Sequence, residues 1–211
     1  MSNGNARRLA SFITSLEDFV VRPRSGANYD HMGAIICDAI LQAGLNYATV
    51  VAPRVQTLLR RWPTARRTSV FVSMTRRFGL NGVLSWRDPE KPRRIKHLSD
   101  FLISHSIEVE SDLHNWLSIE GNSESLSVVR GIGPKTIDYI KALVGLQTIA
   151  VDRHVRSFIK WAGVPLRDYD EIRAVTCKAA DLLGYEYCAL DHAIWSYVSE
   201  RQRSHRRLNA A

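Results

Sequence analysis

Cysteine is scarce in this sequence, and the three cysteines that it has lie far apart. Cys37, Cys177 and Cys188 form no CxxC pair and no obvious disulfide framework. This pattern argues against a small secreted domain held by disulfides. We therefore expect a reducing, intracellular setting, in which the three thiols serve as small buried hydrophobic groups.

The sequence also lacks an apolar run long enough to cross a membrane, and no signal peptide is evident. Its first residues instead predict a helix with Leu9, Ile13, Leu16 and Phe19 on one face. Hydrophobic residues make up 45% of the 211 residues and charged residues 24%, which is ordinary for a globular protein with a real core. No internal repeat or low-complexity linker is present.

Acidic residues are depleted in one stretch of an otherwise mixed sequence, and the net charge is +8. Residues 54–96 contain twelve Lys or Arg and only two acidic residues, whereas residues 97–124 contain six acidic residues and no Lys or Arg. Clustered positive charge is typical of proteins that bind phosphate backbones. The alternative is a solvated surface that is basic by chance.

Apolar residues recur at helical spacing along most of the chain, and no convincing pair of strands is found. Asp30 is the expected N-cap of a helix whose apolar stripe covers residues 32–43. Residues 68–78 are ambiguous between a helix and a strand, and Asn81-Gly82 predicts a break. As a whole, the sequence predicts an all-α fold of roughly ten helices with short connections.

Residues 126–159 carry the most informative pattern. A short helix is expected to end at Arg130, a Gly-Ile-Gly turn follows at 131–133, and a second helix opens at Pro134. Such a turn leaves backbone N–H groups unpaired at a helix N-terminus, which makes a ready anion site. The alternative is a hairpin that only connects two core helices.

Two side chains in this stretch carry possible chemistry. Lys135 lies in the first turn of the second helix, where a cation opposes the helix dipole. It would serve there either as a phosphate contact or as an amine whose ammonium form is destabilised, available as a nucleophile. Asp152 is either the N-cap of a third helix or a carboxylate that faces Lys135 across a cleft. Asp138 is expected to pair with Lys135 on the helix surface rather than to catalyse.

The segments VVRGIGPKTI and AVDRHV, in this order and at this separation, resemble the helix-hairpin-helix/Gly-Pro-Asp superfamily of DNA glycosylases, in particular its endonuclease III-like members. The resemblance implies an all-α fold of two domains with a substrate cleft between them. One domain would be a six-helix barrel of residues 31–150, with the helix-hairpin-helix in residues 126–144. The other would form from residues 1–30 and 151–211.

The same resemblance implies roles by position. Lys135 falls where bifunctional members have their Schiff-base lysine, and Asp152 falls on the aspartate that the superfamily shares. The residues expected to bind DNA at the turn are Arg130, Gly131, Ile132, Gly133 and Thr136. The candidates for insertion into the duplex are Gln42, Leu45 and Asn46.

The sequence departs from the family pattern at several positions. Arg130 stands where proline is usual and Pro134 where a basic or polar residue is common, and neither change affects the chemistry. The four closely spaced cysteines that hold an iron–sulfur cluster in endonuclease III are missing. We expect no cluster, no metal and no organic cofactor.

These features predict a base-excision-repair DNA glycosylase with abasic-site (AP) lyase activity. It would act as a monomer on double-stranded DNA that carries a damaged or mismatched base. One alternative is a monofunctional glycosylase, in which Asp152 activates water and Lys135 only contacts phosphate. An alternative from another class is a non-catalytic helix-hairpin-helix DNA-binding protein.

Overall fold

The computed structural model describes residues 2–23 and 29–208, and every regular element in these ranges is helical. The predicted all-α class is therefore confirmed. The α-helices are α1 (Ser2–Thr14), α2 (Met32–Leu41), α3 (Ala52–Arg61), α4 (Thr68–Phe78), α5 (Leu80–Leu84), α6 (Glu90–Ser104), α7 (Glu110–Leu117), α8 (Asn122–Ser125), α9 (Pro134–Leu143), α10 (Arg153–Trp161), α11 (Tyr169–Leu183) and α12 (Tyr187–Leu208). A π-helical turn, Tyr47–Val51, leads directly into α3, and a 3-10 turn, Leu126–Val128, follows α8.

The chain forms two compact units, each with its own buried core. The central unit comprises Gly26–Leu146, and the terminal unit comprises Met1–Ser25 together with Gln147–Ala211. The six-helix barrel and the helix-hairpin-helix that the resemblance implies stay predictions.

Helix α2 forms the centre of the central unit, and each of its ten residues is buried. Its sequence, MGAIICDAIL, is apolar on all sides apart from Asp38, and a helix of this kind is stable only when other elements surround it. Helices α3, α4, α6 and α9 all pack against it. The core of this unit is therefore built around α2.

The N-terminus of α2 is capped by His31, so the expectation that Asp30 caps this helix is wrong. The His31 Nδ1 accepts from the Ala34 N–H at 3.0 Å, and its Nε2 lies 2.8 Å from the Trp62 carbonyl. Asp30 instead has a positive φ of 43°, and its carboxylate accepts from Arg66. An imidazole that bonds at both nitrogens fills the cap position better here, because it also ties α2 to the end of α3.

The terminal unit pairs α1 with α11 and α10 with α12. Phe158 of α10 is fully buried, and its ring meets the edge of Phe12 at a centroid distance of 5.3 Å. Helix α1 was predicted to carry an apolar face as far as Phe19, but it ends at Thr14. Leu16 and Phe19 lie beyond its end and still pack against the same core.

Two local expectations differ from the structure. The ambiguous residues 68–78 form α4, because burial of Phe71 on the central core decides between the two periodicities. The break predicted at Asn81-Gly82 is wrong, since both residues lie inside α5, and Gly79 with a φ of 71° makes the break instead.

The element before the Gly-Ile-Gly turn is also shorter than expected. Instead of a helix that ends at Arg130, α8 and the 3-10 turn end at Val128, and Val129 is extended. Among the described residues, no helix is long and apolar enough to cross a membrane.

Two glycines of the central unit are expected to respond oppositely to alanine. A Cβ at Gly33 would lie 2.7 Å from a ring carbon of Phe71, which is fully buried, so Gly33→Ala should destabilise the protein by about 1–3 kcal/mol. A Cβ at Gly82 meets nothing within 4 Å, so Gly82→Ala should stabilise it by about 0.5–1 kcal/mol. Urea unfolding of both variants measures the difference, and a Gly33→Ala protein as stable as the wild type would show that this packing is loose.

Candidate functional site

The Gly-Ile-Gly turn joins Val129 to α9 through one residue in the left-handed region. Gly131 has a φ of 86°, which favours glycine. The Ile132 N–H donates to the Val129 carbonyl at 3.0 Å, and the Ile132 side chain is buried in the central core. Gly133 is the N-cap of α9, and its carbonyl accepts from Thr136 N–H at 2.9 Å. The buried isoleucine therefore fixes the turn, and its two glycines lie nearer the surface.

The backbone of this turn offers hydrogen-bond donors to a ligand. Within residues 2–23 and 29–208, the N–H groups of Gly131 and Gly133 donate no hydrogen bond. They lie at the N-terminus of the ten-residue helix α9, where the helix dipole favours negative charge. Free amides and a helix N-terminus together favour binding of an anion such as phosphate.

Three arginines, one of which lies against this turn, share one carboxylate. The guanidinium of Arg94 lies directly over Gly131, where an added Cβ would be only 2.6 Å from its Nη1. Glu90 accepts from Arg94 Nε at 3.0 Å and from Arg93 Nη1 at 3.2 Å, and Arg130 Nε lies 3.9 Å away. The hydrogen bond from Arg94 lowers the pKa of Glu90, so this carboxylate stays charged and the cluster keeps a net charge of +2.

Lys135 lies in the first turn of α9, next to this cluster. Its Nζ donates to the side-chain carbonyl of Gln42 and lies 4.9 Å from the centre of the Tyr139 ring. Two residues singled out by sequence, Lys135 and Gln42, are thus in contact although 93 positions separate them.

A second amine, Lys91, lies close to Lys135. Its Nζ donates to the carbonyls of Ile40 and Ala43 at 2.7 and 2.8 Å, at the C-terminal end of α2. Burial, with the positive charges of Arg94 and Lys135, lowers the pKa of Lys91 to about 8. Both amines therefore belong to one positively charged region of the central unit.

The three candidates for insertion into a duplex differ in exposure. Gln42 is only 9% exposed, and its amide donates to the Ala39 carbonyl as well as accepting from Lys135. Leu45 is half-buried against the central core. Asn46 is exposed, and its side chain caps the π-helical turn by accepting from the Thr49 N–H.

Other sequence candidates are less exposed than expected. The side chains of Ile132 and Thr136 are buried, and their backbone N–H groups already donate to Val129 and Gly133 within the turn. Asp138 was expected on the helix surface but is 1% exposed, so that expectation is wrong. It lies on the face of α9 that packs into the central unit, one turn after Lys135.

Asp152 belongs to the terminal unit, where it caps α10. Its Oδ1 accepts from the backbone N–H groups of His154 and Val155 at 2.7 and 3.0 Å, and its Oδ2 lies 2.8 Å from His154 Nδ1. Burial alone would raise the pKa of the Asp152 carboxyl, but the hydrogen bonds from His154 and Val155 outweigh it and lower this pKa. The carboxylate is thus ionised at neutral pH and 24% exposed.

Sequence reasoning missed Arg94, Lys91 and Tyr139. The first two lie in the basic stretch of residues 54–96, but nothing in the spacing marks them among its other cations. Tyr139 follows Lys135 by four residues, a helical spacing that puts both side chains on one face. Among the described residues, no group of three His, Cys, Asp or Glu side chains is arranged to hold a metal ion.

The Asp152 interactions give a prediction for stability against pH. Asp152→Ala removes the cap of α10 and should cost about 1 kcal/mol at pH 7. Because the pKa of Asp152 is lower in the folded protein than in the unfolded chain, this stabilisation is complete above the unfolded pKa and is lost as the pH falls through the folded one. Urea unfolding should therefore show a smaller difference between wild type and variant at pH 3 than at pH 7. A difference that grows on acidification would be incompatible with this assignment.

Comparison with known proteins identifies a family but no characterised relative. No curated protein and no solved structure matches the chain significantly. The model of one protein family, described as Domain of unknown function (DUF8548), matches residues 10–199. Because this match covers most of the 211 residues, the chain belongs to the DUF8548 family.

Proposed function

We propose that this protein is a DNA glycosylase with AP lyase activity, in which Lys135 is the nucleophile. The observation that carries the proposal is the position of the Lys135 amine. It belongs to the first turn of α9, directly after a turn with two free amides, and the guanidinium of Arg94 lies over Gly131 of that turn. An amine next to a phosphate-binding turn is well placed to reach a sugar of the same strand.

Binding of DNA in this proposal depends on the turn and on the charge around it. The amides of Gly131 and Gly133 bind a backbone phosphate, and Arg94 and Arg130 neutralise it. Such contacts carry no sequence information, which suits a protein that must act at lesions in any sequence. The damaged base has to leave the stack before its glycosidic bond is reached, so the nucleotide is flipped out of the duplex.

In the chemical step, the Lys135 ammonium first gives up a proton to solvent, and the neutral amine then attacks C1′ of the flipped nucleotide as the bond between C1′ and the base breaks. The bonding electrons leave with the base, which takes up a proton. Loss of a proton from nitrogen and opening of the sugar give an imine between Lys135 and C1′. Removal of a proton from C2′ then expels the 3′ phosphate and nicks the strand, and water hydrolyses the imine to release the enzyme.

Asp152 supplies negative charge in this scheme. Its two oxygens already accept three hydrogen bonds and its pKa is lowered, so it is a weak base. A weak base is poorly suited to activating the amine, so in this proposal the charge of Asp152 stabilises positive charge that develops on the sugar.

A monofunctional glycosylase is the second candidate, and one observation favours it. Lys135 follows Gly133 of the turn by two residues, and the positive charges of Arg94 and Lys135 both lower the pKa of Lys91, so Lys135 is equally suited to binding a phosphate. In that case water replaces Lys135 as the nucleophile and no covalent intermediate forms.

The lyase activity predicts a covalent adduct with DNA. Incubation with an abasic-site duplex and sodium borohydride should reduce the imine and give a protein–DNA species on a denaturing gel, with the modification at Lys135. Lys135→Ala should abolish the adduct, whereas Lys141→Ala, in the last turn of the same helix, should keep it. An active glycosylase that gives no adduct would point to the monofunctional mechanism.

Base excision should depend on the charge of Asp152 and not only on its capping. Asp152→Asn keeps an N-cap residue but loses the charge, so base release should slow by about 100-fold or more while duplex binding is retained. Release should be measured on duplexes with oxidised purine, oxidised pyrimidine, uracil, mismatched thymine or alkylated purine. If Asp152→Asn releases bases at the wild-type rate, Asp152 serves only as a helix cap. A wild-type protein that binds duplex and releases none of these bases would instead be a non-catalytic DNA-binding protein.

A further inference from the structure

The face of α9 that carries Lys135 makes two polar contacts with α2. On α9, Lys135 and Tyr139 lie four residues apart, and on α2 and its C-cap, Asp38 and Gln42 do so as well. Residues with this spacing lie one above the other on a helix. Lys135 donates to Gln42, and the Tyr139 hydroxyl donates to Asp38 Oδ1 at 3.0 Å. The two hydrogen bonds are therefore neighbours along the interface between α2 and α9, and the two helices run in opposite directions.

Asp38 is a fully buried carboxylate that holds three phenols. Besides Tyr139, it accepts from Tyr29 at 2.5 Å and from Tyr47 at 3.2 Å. Burial, followed by the negative charge of Asp38, raises the pKa of Tyr29, Tyr47 and Tyr139. The phenols thus stay protonated and donate, which compensates a carboxylate that has lost its water.

Tyr139 contacts both the buried Asp38 carboxylate and the Lys135 amine. Its hydroxyl is fixed on Asp38, and its ring face lies 4.9 Å from Lys135 Nζ. A ring face attracts an ammonium group, so a ring fixed at its far end also limits where that group lies. Lysine side chains are long and flexible, and a reactive amine needs such a limit to meet its target in one geometry.

We propose that Tyr139 and Asp38 are positioning residues that set where the Lys135 amine lies. The catalytic consequence rests on the proposed function, whereas the placement of the amine does not. Neither residue forms or breaks a bond in the proposed reaction. Tyr139 acts through its ring face on Lys135, and Asp38 acts through the Tyr139 hydroxyl.

A measurement without DNA tests the placement. Formaldehyde with sodium cyanoborohydride methylates lysine amines, and peptide mass spectrometry compares Lys135 with Lys141, a partly buried reference on the same helix. Tyr139→Leu removes the ring that attracts the ammonium, so the Lys135 to Lys141 ratio should rise about threefold. Tyr139→Phe and Asp38→Asn, which keep the shape but release the ring from its anchor, should change the ratio in the same direction by less.

Tyr29→Phe is the matched control, because it removes a hydrogen bond from the same carboxylate, and the Tyr29 hydroxyl bonds Asp38 and Tyr47 but not Tyr139. It should leave the ratio at the wild-type value, and thermal unfolding of each variant shows that it is folded. The inference is overturned if Tyr139→Leu, or Tyr139→Phe should the leucine variant not fold, gives the wild-type ratio. It is equally overturned if Tyr29→Phe changes the ratio as much as Tyr139→Phe.

Borohydride trapping on abasic-site DNA tests the catalytic consequence. The trapping rate should fall by about tenfold in Tyr139→Leu, although its amine is chemically more reactive, because the amine is no longer held in one place. If Tyr139 only supported the fold, its loss would not raise the methylation ratio and lower the trapping rate together. A wild-type trapping rate in Tyr139→Leu would overturn the inference. If wild-type protein gives no adduct while the methylation ratio changes as expected, the proposed function fails and the placement stands.

Discussion

Complete burial of α2 is the constraint on which the central unit depends. A helix that is apolar on every side has to be covered on every side, and four other helices pack against it. The single carboxylate on this helix, Asp38, cannot lie in such a core without donors. The three tyrosines that supply them come from the segment before α2, the π-helical turn and α9. One buried charge therefore connects the two segments that flank α2 with α9, which lies about a hundred residues further along the chain.

The same helix also sets the charge around the candidate site. The carbonyls at its C-terminal end bind Lys91, and its C-cap Gln42 binds Lys135. Glu90 is the carboxylate that the three arginines near the Gly-Ile-Gly turn share. Positive charge thus exceeds negative charge beside two free amides, which is the electrostatic condition that a phosphate group needs.

Helical spacing of apolar residues was sufficient to predict the all-α class, because one buried face per helix leaves a direct pattern in the sequence. The same spacing could not predict the cap of α2, where His31 replaces Asp30, because the cap depends on a carbonyl at the end of α3. The break assigned to Asn81-Gly82 lies at Gly79, since glycine marks a possible turn but not the position where the chain reverses.

For the site, the sequence indicated the turn, Lys135 and the capping role of Asp152, which are local features. Asp152 does accept from the first amides of α10, as an N-cap does. The hydrogen bonds of Lys135 to Gln42 and of Tyr139 to Asp38 could not be predicted, because they join residues about a hundred positions apart and depend on how α9 packs against α2. Arg94 was hidden for the same reason, since only the folded chain brings its guanidinium over Gly131.

The hydrogen bond between Gln42 and Lys135 has a consequence for the order of events on DNA. A side chain occupies one place at a time, so a Gln42 that enters a duplex has to release the Lys135 amine. Insertion and release are then a single movement, and the amine loses a partner when DNA arrives and not before. In the free protein, the amine that the proposed function takes as nucleophile stays hydrogen-bonded to Gln42.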